Sequence, residues 1–300
     1  MFVIMGATGH TGSVAAKALL GKGEKVRAIG RDAAKVTQLL GSGVEAFAAE
    51  ANDAAALTKA FTGATAAYVM IPPQMTAPDF LEAGGKISDA ITEAVKASGI
   101  SHVVVLSSIG AQHDSKTGPI VGLNRLEKKL SALPGLNALF LRPVSFMENF
   151  LMAIPLIQSM GFIGNGIKDD LKMAMIATKD IGQRAAAALL ARDFSGIQTQ
   201  ELLGARDYTH EEAAHILGSE IGKPKLSYQR FPGFMVEQAL KQMGMPAKTA
   251  ALMSEMNEAA NDGLLNPIAP RSADNTTPTT LEEFAKETFA PAYNAKSAKA

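Results

Sequence analysis

The segment Gly6-Ala7-Thr8-Gly9-His10-Thr11-Gly12 follows the apolar start Met1-Phe2-Val3-Ile4-Met5 and precedes the alanine-rich, helix-forming run Ser13 to Leu20. The order is strand, glycine turn, helix. Such a turn suits a dinucleotide, because glycines let the backbone approach a diphosphate and the free N–H groups at the helix start meet its negative charge. The spacing is G-x-x-G-x-x-G rather than the G-x-G-x-x-G of the usual dinucleotide turn. Three glycines in a tight turn are also a common structural device, so the position of the turn, at the first strand-to-helix junction, carries the argument.

The first half of the chain alternates. Val26 to Ile29 and Val44 to Ala48 are strand-like and flank a helical run, Asp32 to Leu40. Asp53 to Phe61 reads as a helix, Ala66 to Ile71 as a buried strand, Asp79 to Ser98 as a long helix and His102 to Ser107 as a strand. Leu123 to Leu133 is helical, and Ala138 to Leu141 is a sixth strand ending at Arg142-Pro143. Strands this uniformly apolar are covered on both faces, so the fold class is α/β: a Rossmann-type, doubly wound parallel sheet. Residues 1–150 form the dinucleotide-binding domain and 151–300 a smaller, mainly helical C-terminal lobe. The chain returns to the sheet within 176–206, through a helix from Lys179 to Leu190 and a late strand from Thr199 to Leu203. Before that return, Phe146 to Ile163 is dense in Met, Phe and Ile and reads as loop-rich, with Pro155, Gly161, Gly164 and Gly166. Asn294 to Ala300 are expected to fray.

With 29 basic and 29 acidic residues the formal net charge is zero, which argues against whole-protein attraction to nucleic acid or an anionic membrane. The absence of cysteine excludes disulfides, thiolate nucleophiles and Cys-ligated zinc, and suits a reducing cytoplasm. No apolar stretch reaches the roughly 18 residues of a membrane span, and the apolar N-terminus reads as a strand rather than a leader.

Charge also bears on the choice of coenzyme. At the end of the second strand stand Gly30-Arg31-Asp32, about 20 residues past the glycine turn, where an acidic side chain would hold the ribose 2′-OH of NAD. Arg31 comes first, and a guanidinium there suits a 2′-phosphate. Lys35, one helical turn on, can bring a second positive charge to the same anion, which favours NADP(H). The rival reading makes Asp32 the ribose ligand, but its place before Ala33-Ala34-Lys35 suits a helix N-cap better.

Taken together, Gly6 to Gly12, Val26 to Asp32, Leu106-Ser107-Ser108, Leu141-Arg142-Pro143 with Phe146-Met147-Glu148-Asn149, and Ala177-Thr178-Lys179-Asp180-Ile181-Gly182 resemble the NmrA-like family of atypical short-chain dehydrogenases, notably its bacterial NADPH-dependent quinone reductases. The likeness spans most of the chain and weakens after about Tyr208. It implies a Rossmann sheet, an NADP-type coenzyme and a C-terminal lobe over the nicotinamide. It also implies coenzyme-binding roles for Gly6, Thr8, Gly9, His10, Thr11 and Gly12 in the phosphate loop, and for Ile71, Pro72, Ser107 and Val144 beside the nicotinamide half. Each has a plainer reading: Pro72-Pro73 stops a strand, Ser107 and Ser108 satisfy local backbone, and His10 is a turn residue with an exposed ring.

An ordinary short-chain dehydrogenase uses Tyr-x-x-x-Lys to protonate a developing alkoxide, and no tyrosine here has a lysine four residues on. Where the pair would lie the chain reads Gly122-Leu123-Asn124-Arg125-Leu126-Glu127-Lys128-Lys129, with the lysines read as solvated. That absence narrows the substrate. Reduction of a ketone gives an alkoxide with a conjugate-acid pKa near that of water, about 15.7. Reduction of a quinone gives a phenolate, with a conjugate-acid pKa of about 10. The difference is roughly 8 kcal/mol of proton affinity, so water can protonate the quinone product without a dedicated acid.

The Met- and Phe-rich runs over 146–163 and 231–256 suit a pliable pocket for a small apolar or aromatic substrate, or equally a packed core. Asn149 is the candidate polar handle on the substrate, unless it caps a helix. The histidines of His210-Glu211-Glu212-Ala213-Ala214-His215 are five apart, about 140° around a helix, and so cannot share a zinc. Thr209 and Glu212 instead read as a capping box. Ser107, Ser108, His113 and Asp114 lack a G-x-S-x-G elbow. Two functions stay open: a reductase acting on a quinone-like or other conjugated acceptor, and a non-catalytic NADP(H)-binding redox sensor that meets a protein partner.

Overall fold

In the computed structural model, which describes residues 1–297, every apolar run of the first half becomes a strand or the buried face of a helix. The chain runs β1 (Phe2–Ile4), α1 (His10–Gly21), β2 (Val26–Gly30), α2 (Ala33–Leu40), β3 (Glu45–Ala48), α3 (Ala54–Phe61), β4 (Ala66–Val69), α4 (Phe80–Ser98), β5 (His102–Leu106), α5 (Val121–Ser131) and β6 (Asn137–Pro143). Then follow β7 (Ser145–Phe146), a 3-10 helix (Met147–Ala153), α6 (Ile154–Met160), β8 (Phe162–Asn165), β9 (Met173–Ile176), α7 (Thr178–Ala191) and β10 (Ile197–Leu202). The C-terminal part holds β11 (Asp207–Tyr208), α8 (His210–Glu220), β12 (Ser227–Arg230), α9 (Gly233–Gln242), α10 (Ala247–Asn261), α11 (Leu281–Phe284) and α12 (Ala290–Ser297).

The main sheet has seven strands in the order β10-β6-β5-β4-β1-β2-β3, all parallel. This is the doubly wound order, which reverses beside β1 and opens a crevice at the strand carboxyl ends there. Alternate residues face opposite layers. Phe2, Ile4, Ala28, Tyr68 and Val104 pack with α1 and α7, while Val3, Ala67, Val69, Val103 and Val105 pack with α3 and α4. The return of the chain is β10, paired in register with β6 from Ile197–Ala138 to Leu202–Pro143.

Helix starts follow local chemistry. The Asp32 carboxylate accepts from the Ala34 and Lys35 N–H groups at 2.9 and 3.2 Å, as the N-cap reading requires. Thr209 and Glu212 form the full capping box, with bonds of 3.0 and 2.8 Å.

One expectation fails: Phe146 to Ile163 is not loop-rich. Pro155 lies in the first turn of α6, where its missing N–H costs nothing, and Gly161 ends that helix with φ of 80°. Of the residues read as breakers, Pro155 is a helix start, Gly161 a helix stop, and Gly164 lies within β8. The apolar side chains Met147, Phe150, Ile154 and Ile157 join a third core with Tyr208, Tyr228, Leu281 and Phe284. Asn294 to Ser297 belong to α12, so the expected fraying of Asn294 to Ala300 falls partly on a helix and, for residues 298–300, outside the described residues.

Three carboxylates tie distant segments together. Glu148 accepts from the Thr178 N–H at 3.0 Å, Asp180 from the Thr279 N–H at 3.0 Å, and Glu201 from the Ile268 and Ala269 N–H groups at 3.0 and 2.9 Å. Glu148 fastens the 3-10 helix to the start of α7, while Asp180 and Glu201 bring C-terminal segments against α7 and the edge strand β10.

Candidate functional site

The glycine turn is shaped by close approach. Gly6 has φ of +64°, and a Cβ there would lie 2.8 Å from the Met70 sulfur. A Cβ on Gly12 would lie 2.4 Å from the Gly6 carbonyl oxygen, so α1 can start this near β1 only with glycine at that place. The N-cap is Gly9, with no side-chain cap and no acidic residue in the first turn. The N–H groups of His10, Thr11 and Gly12 therefore have no intrahelical acceptor and present the positive end of the helix dipole. This is a cradle for an anion, and the residues fit a dinucleotide diphosphate.

Within the turn, Thr8, Gly9 and His10 are exposed, while Thr11 and Gly12 are buried. The Thr11 hydroxyl faces inward and accepts a 2.8 Å bond from the Tyr68 hydroxyl. Burial pushes the Tyr68 phenol well above its usual pKa, so it stays a neutral donor. A sequence reading of the turn could not have found this partner, 57 residues away.

At the end of β2, Arg31 is exposed and makes no hydrogen bond or ion pair among the described residues. Lys35 is also exposed and stands 4.0 Å from the Asp32 carboxylate. The Gly30 Cα faces Thr8, whose Cγ2 would be 3.7 Å from a Cβ added there. The strand end carrying Arg31 thus lies against the phosphate turn.

Beyond the turn opens a cavity of about 1130 Å³, larger than most small-ligand pockets. Its wall includes Ile71, Ser107, Val144 and Asn149 of the expected residues, with Pro73 in place of Pro72. Pro72 lies outside the wall, its carbonyl accepting from the Gln74 side chain at 3.0 Å. The phosphate turn, Arg31 and Lys35 are outside it too. Phe146, Phe150, Phe231 and Met256 supply apolar wall, while Met152 and Met243 both line the cavity and are exposed. Asn149 lies within the 3-10 helix, exposed and without a hydrogen bond among the described residues.

Ser107 is held from behind. Its hydroxyl donates to Glu127 at 2.5 Å, and Arg142 grips the same carboxylate at both oxygens, at 2.9 and 2.5 Å. The Arg142 and Glu127 side chains are only 12% and 8% exposed, so each charge depends on the other. Because the Ser107 proton goes to Glu127, the hydroxyl oxygen is an acceptor toward the cavity rather than an acid. Lys128 and Lys129 reach Asp114 and Asp89 at the surface, as the solvated reading expected.

The hydrolase constellation does not form, since Ser107 bonds Glu127 and Ser108 bonds the Ile109 carbonyl. Nor is there, among the described residues, a cluster able to hold a metal ion. His215 pairs with Glu211 at 3.2 Å on the surface. His210 instead turns inward to the cavity wall, its ring 4.9 Å from that of Tyr228 and 5.8 Å from that of Phe150. Burial pushes its pKa down to about 4. The capping motif hid this residue from a sequence reading that asked only whether the two histidines share a metal.

Comparison with known proteins follows the same lines. An NAD(P)H azoreductase of Xenophilus azovorans is 29% identical over 262 residues, spanning 85% of this chain and 86% of its own. The structure of an NADPH-dependent quinone oxidoreductase of Escherichia coli, complexed with NADPH, superposes with a TM-score of 0.82 at 25% identity, covering 96% of this chain and 100% of that one. A negative transcriptional regulator solved with NADP shares the fold, with a TM-score of 0.70 at 16% identity, covering 98% of this chain and 97% of its own. The model of the NmrA-like family matches residues 1–285, and the chain belongs to that family.

Proposed function

We propose that this protein binds NADPH at the carboxyl ends of its strands and reduces a flat, conjugated, quinone-like acceptor in the apolar cavity. The observation that carries this reading is the sequence of parts along one side of the sheet. It runs from an uncapped α1 and an unpaired Arg31 to a large cavity whose wall holds Ile71, Ser107 and Val144. The names of two relatives, an NAD(P)H azoreductase and an NADPH-dependent quinone oxidoreductase, support the same class of chemistry.

The first-turn N–H groups of α1 hold the diphosphate, with Gly6, Gly9 and Gly12 allowing its approach and Thr8 and His10 flanking it. Arg31 and Lys35 hold the 2′-phosphate. The bound coenzyme supplies hydride from its nicotinamide. Ile71, Pro73, Ser107 and Val144 bound that half of the site, and the fixed Ser107 oxygen accepts an N–H from it. The Met and Phe wall keeps water out and holds a planar acceptor, while Asn149 offers a polar contact. No side chain need donate a proton, since the phenolate product takes one from water.

Titration of NADPH and NADH into the protein, followed by loss of NADPH absorbance with a panel of quinones, tests the reading. NADPH is expected to bind more tightly, and Arg31→Ala to weaken NADPH by about tenfold to a hundredfold, the worth of a charge-assisted contact, while leaving NADH unchanged. Tighter binding of NADH refutes the assignment. Tight NADPH binding without oxidation by any acceptor assigns the sensor role instead.

A further inference from the structure

His210 is the first residue of α8, directly after the Thr209 cap. Only 6% of it is exposed, and it forms part of the wall of the cavity. Its Nδ1 is sealed from solvent and has no hydrogen-bond partner among the described residues. Nε2 has no protein partner among the described residues either, and it is not among the sealed atoms. Buried polar groups are costly when unpaired, and a native one left bare calls for an explanation.

The surroundings show why none of the described residues takes this ring. Glu211, next in sequence, accepts from the Tyr228 N–H at 3.0 Å and pairs with His215. Asp207, on the same cavity wall, is held by Arg271. The Tyr228 hydroxyl donates to the Ile167 carbonyl at 2.7 Å. Lys172 and Arg271, the cations of the wall, offer no acceptor. The rings of Phe150 and Tyr228 pack against the imidazole, with centroids 5.8 and 4.9 Å away. A proton on Nδ1 would be buried with no acceptor, so the tautomer that serves a ligand carries it on Nε2.

Resting on the reductase reading, we infer that His210 is the substrate anchor of the cavity: a neutral imidazole whose Nε2–H donates to a carbonyl oxygen of the conjugated acceptor. The substrate class narrows accordingly, to planar molecules carrying a hydrogen-bond-accepting oxygen on the conjugated system. A neutral imidazole at a helix start can polarise such an oxygen without surrendering a proton, and the bond strengthens as negative charge builds there.

The test uses the full-length protein saturated with NADP+, which cannot reduce the probe, and two probes of one shape: 1,4-naphthoquinone and naphthalene. His210→Phe keeps an aromatic ring and removes the donor. It is expected to weaken naphthoquinone binding about tenfold and leave naphthalene unchanged. In the wild-type protein the His210 imidazole 15N signals are expected to report the Nε2–H tautomer, and the Nε2 signal to shift with naphthoquinone but not with naphthalene. That measurement needs no variant, so it stands if His210→Phe fails to fold. Equal losses for both probes would show a packing role and overturn the inference, as would binding of neither probe or an unmoved Nε2 signal. NADPH affinity measured on the same protein before NADP+ is added separates the outcomes: its absence refutes the coenzyme reading and leaves the His210 result to be judged by the probes.

Discussion

Glu127 illustrates how one residue can matter without touching a ligand. Its carboxylate receives the Ser107 hydroxyl and two N–H groups, Nε and Nη2, of the Arg142 guanidinium, with almost no water to share the load. Removing one partner of a buried pair strands the other, at a cost of about 3–5 kcal/mol, whereas replacing both by apolar residues of similar volume is often neutral. Glu127→Leu is therefore expected to lower unfolding free energy in urea by about 3–5 kcal/mol, and the double variant Glu127→Leu/Arg142→Met to recover most of that loss. Additive losses in the double variant would show that the two charges are stabilised independently. None of this was visible in the sequence, because the residues lie just past β5, on α5 and on β6 and meet only through the order of the sheet. Leu141-Arg142-Pro143 drew notice as a motif, and Glu127 as part of the helix where a Tyr-x-x-x-Lys pair would lie, but nothing in the sequence joined the two.

Elements were more legible than contacts. Short, uniformly apolar runs separated by helical stretches can be buried only between two layers, so the seven-stranded sheet and its return through β10 followed from the pattern. What misled was local: Pro155 and Gly161 are breakers in a strand or loop but are natural ends of a helix as short as α6. The position of α1, which sets the anion cradle, depends on a residue far from the glycine turn. Gly182 of α7 lets the two helices approach, since a Cβ there would lie 2.6 Å from both the Thr11 carbonyl oxygen and the Val14 Cβ. Gly182→Ala is expected to cost about 1–3 kcal/mol, as overpacking does, and to weaken NADPH binding by displacing the helix start. Gly21→Ala, at the other end of α1 with nothing within 4 Å of the added atom, is the control. It is expected to be neutral or to stabilise by up to about 1 kcal/mol, with NADPH affinity unchanged. If both variants bind NADPH as the wild type does, α7 does not set the cradle.

At the scale of the whole molecule, no helix of the described residues is long and apolar enough to cross a membrane, and stability is the property that integrates every buried group. His210 makes a separable contribution. In the folded protein its pKa is held down to about 4 by burial, against an ordinary 6.5 in the unfolded chain. Asp207, Lys172 and Arg271 share its cavity wall, and Asp207 is already paired with Arg271, so no free carboxylate favours the charged ring. As pH falls below about 6.5, the unfolded chain gains a proton that the fold refuses, and unfolding becomes easier. The loss grows until about pH 4, where the folded state also takes the proton, and then stops growing. Integrated over that window it amounts to about 3 kcal/mol. Exposed carboxylates titrate in both the wild type and His210→Phe and cancel in their difference. Urea unfolding at pH 7 and at pH 4.5 should therefore show the wild type losing about 2–3 kcal/mol more than His210→Phe between the two. A difference that stays constant across that range would mean the ring takes up its proton in the folded protein, and would remove the neutral donor from the cavity.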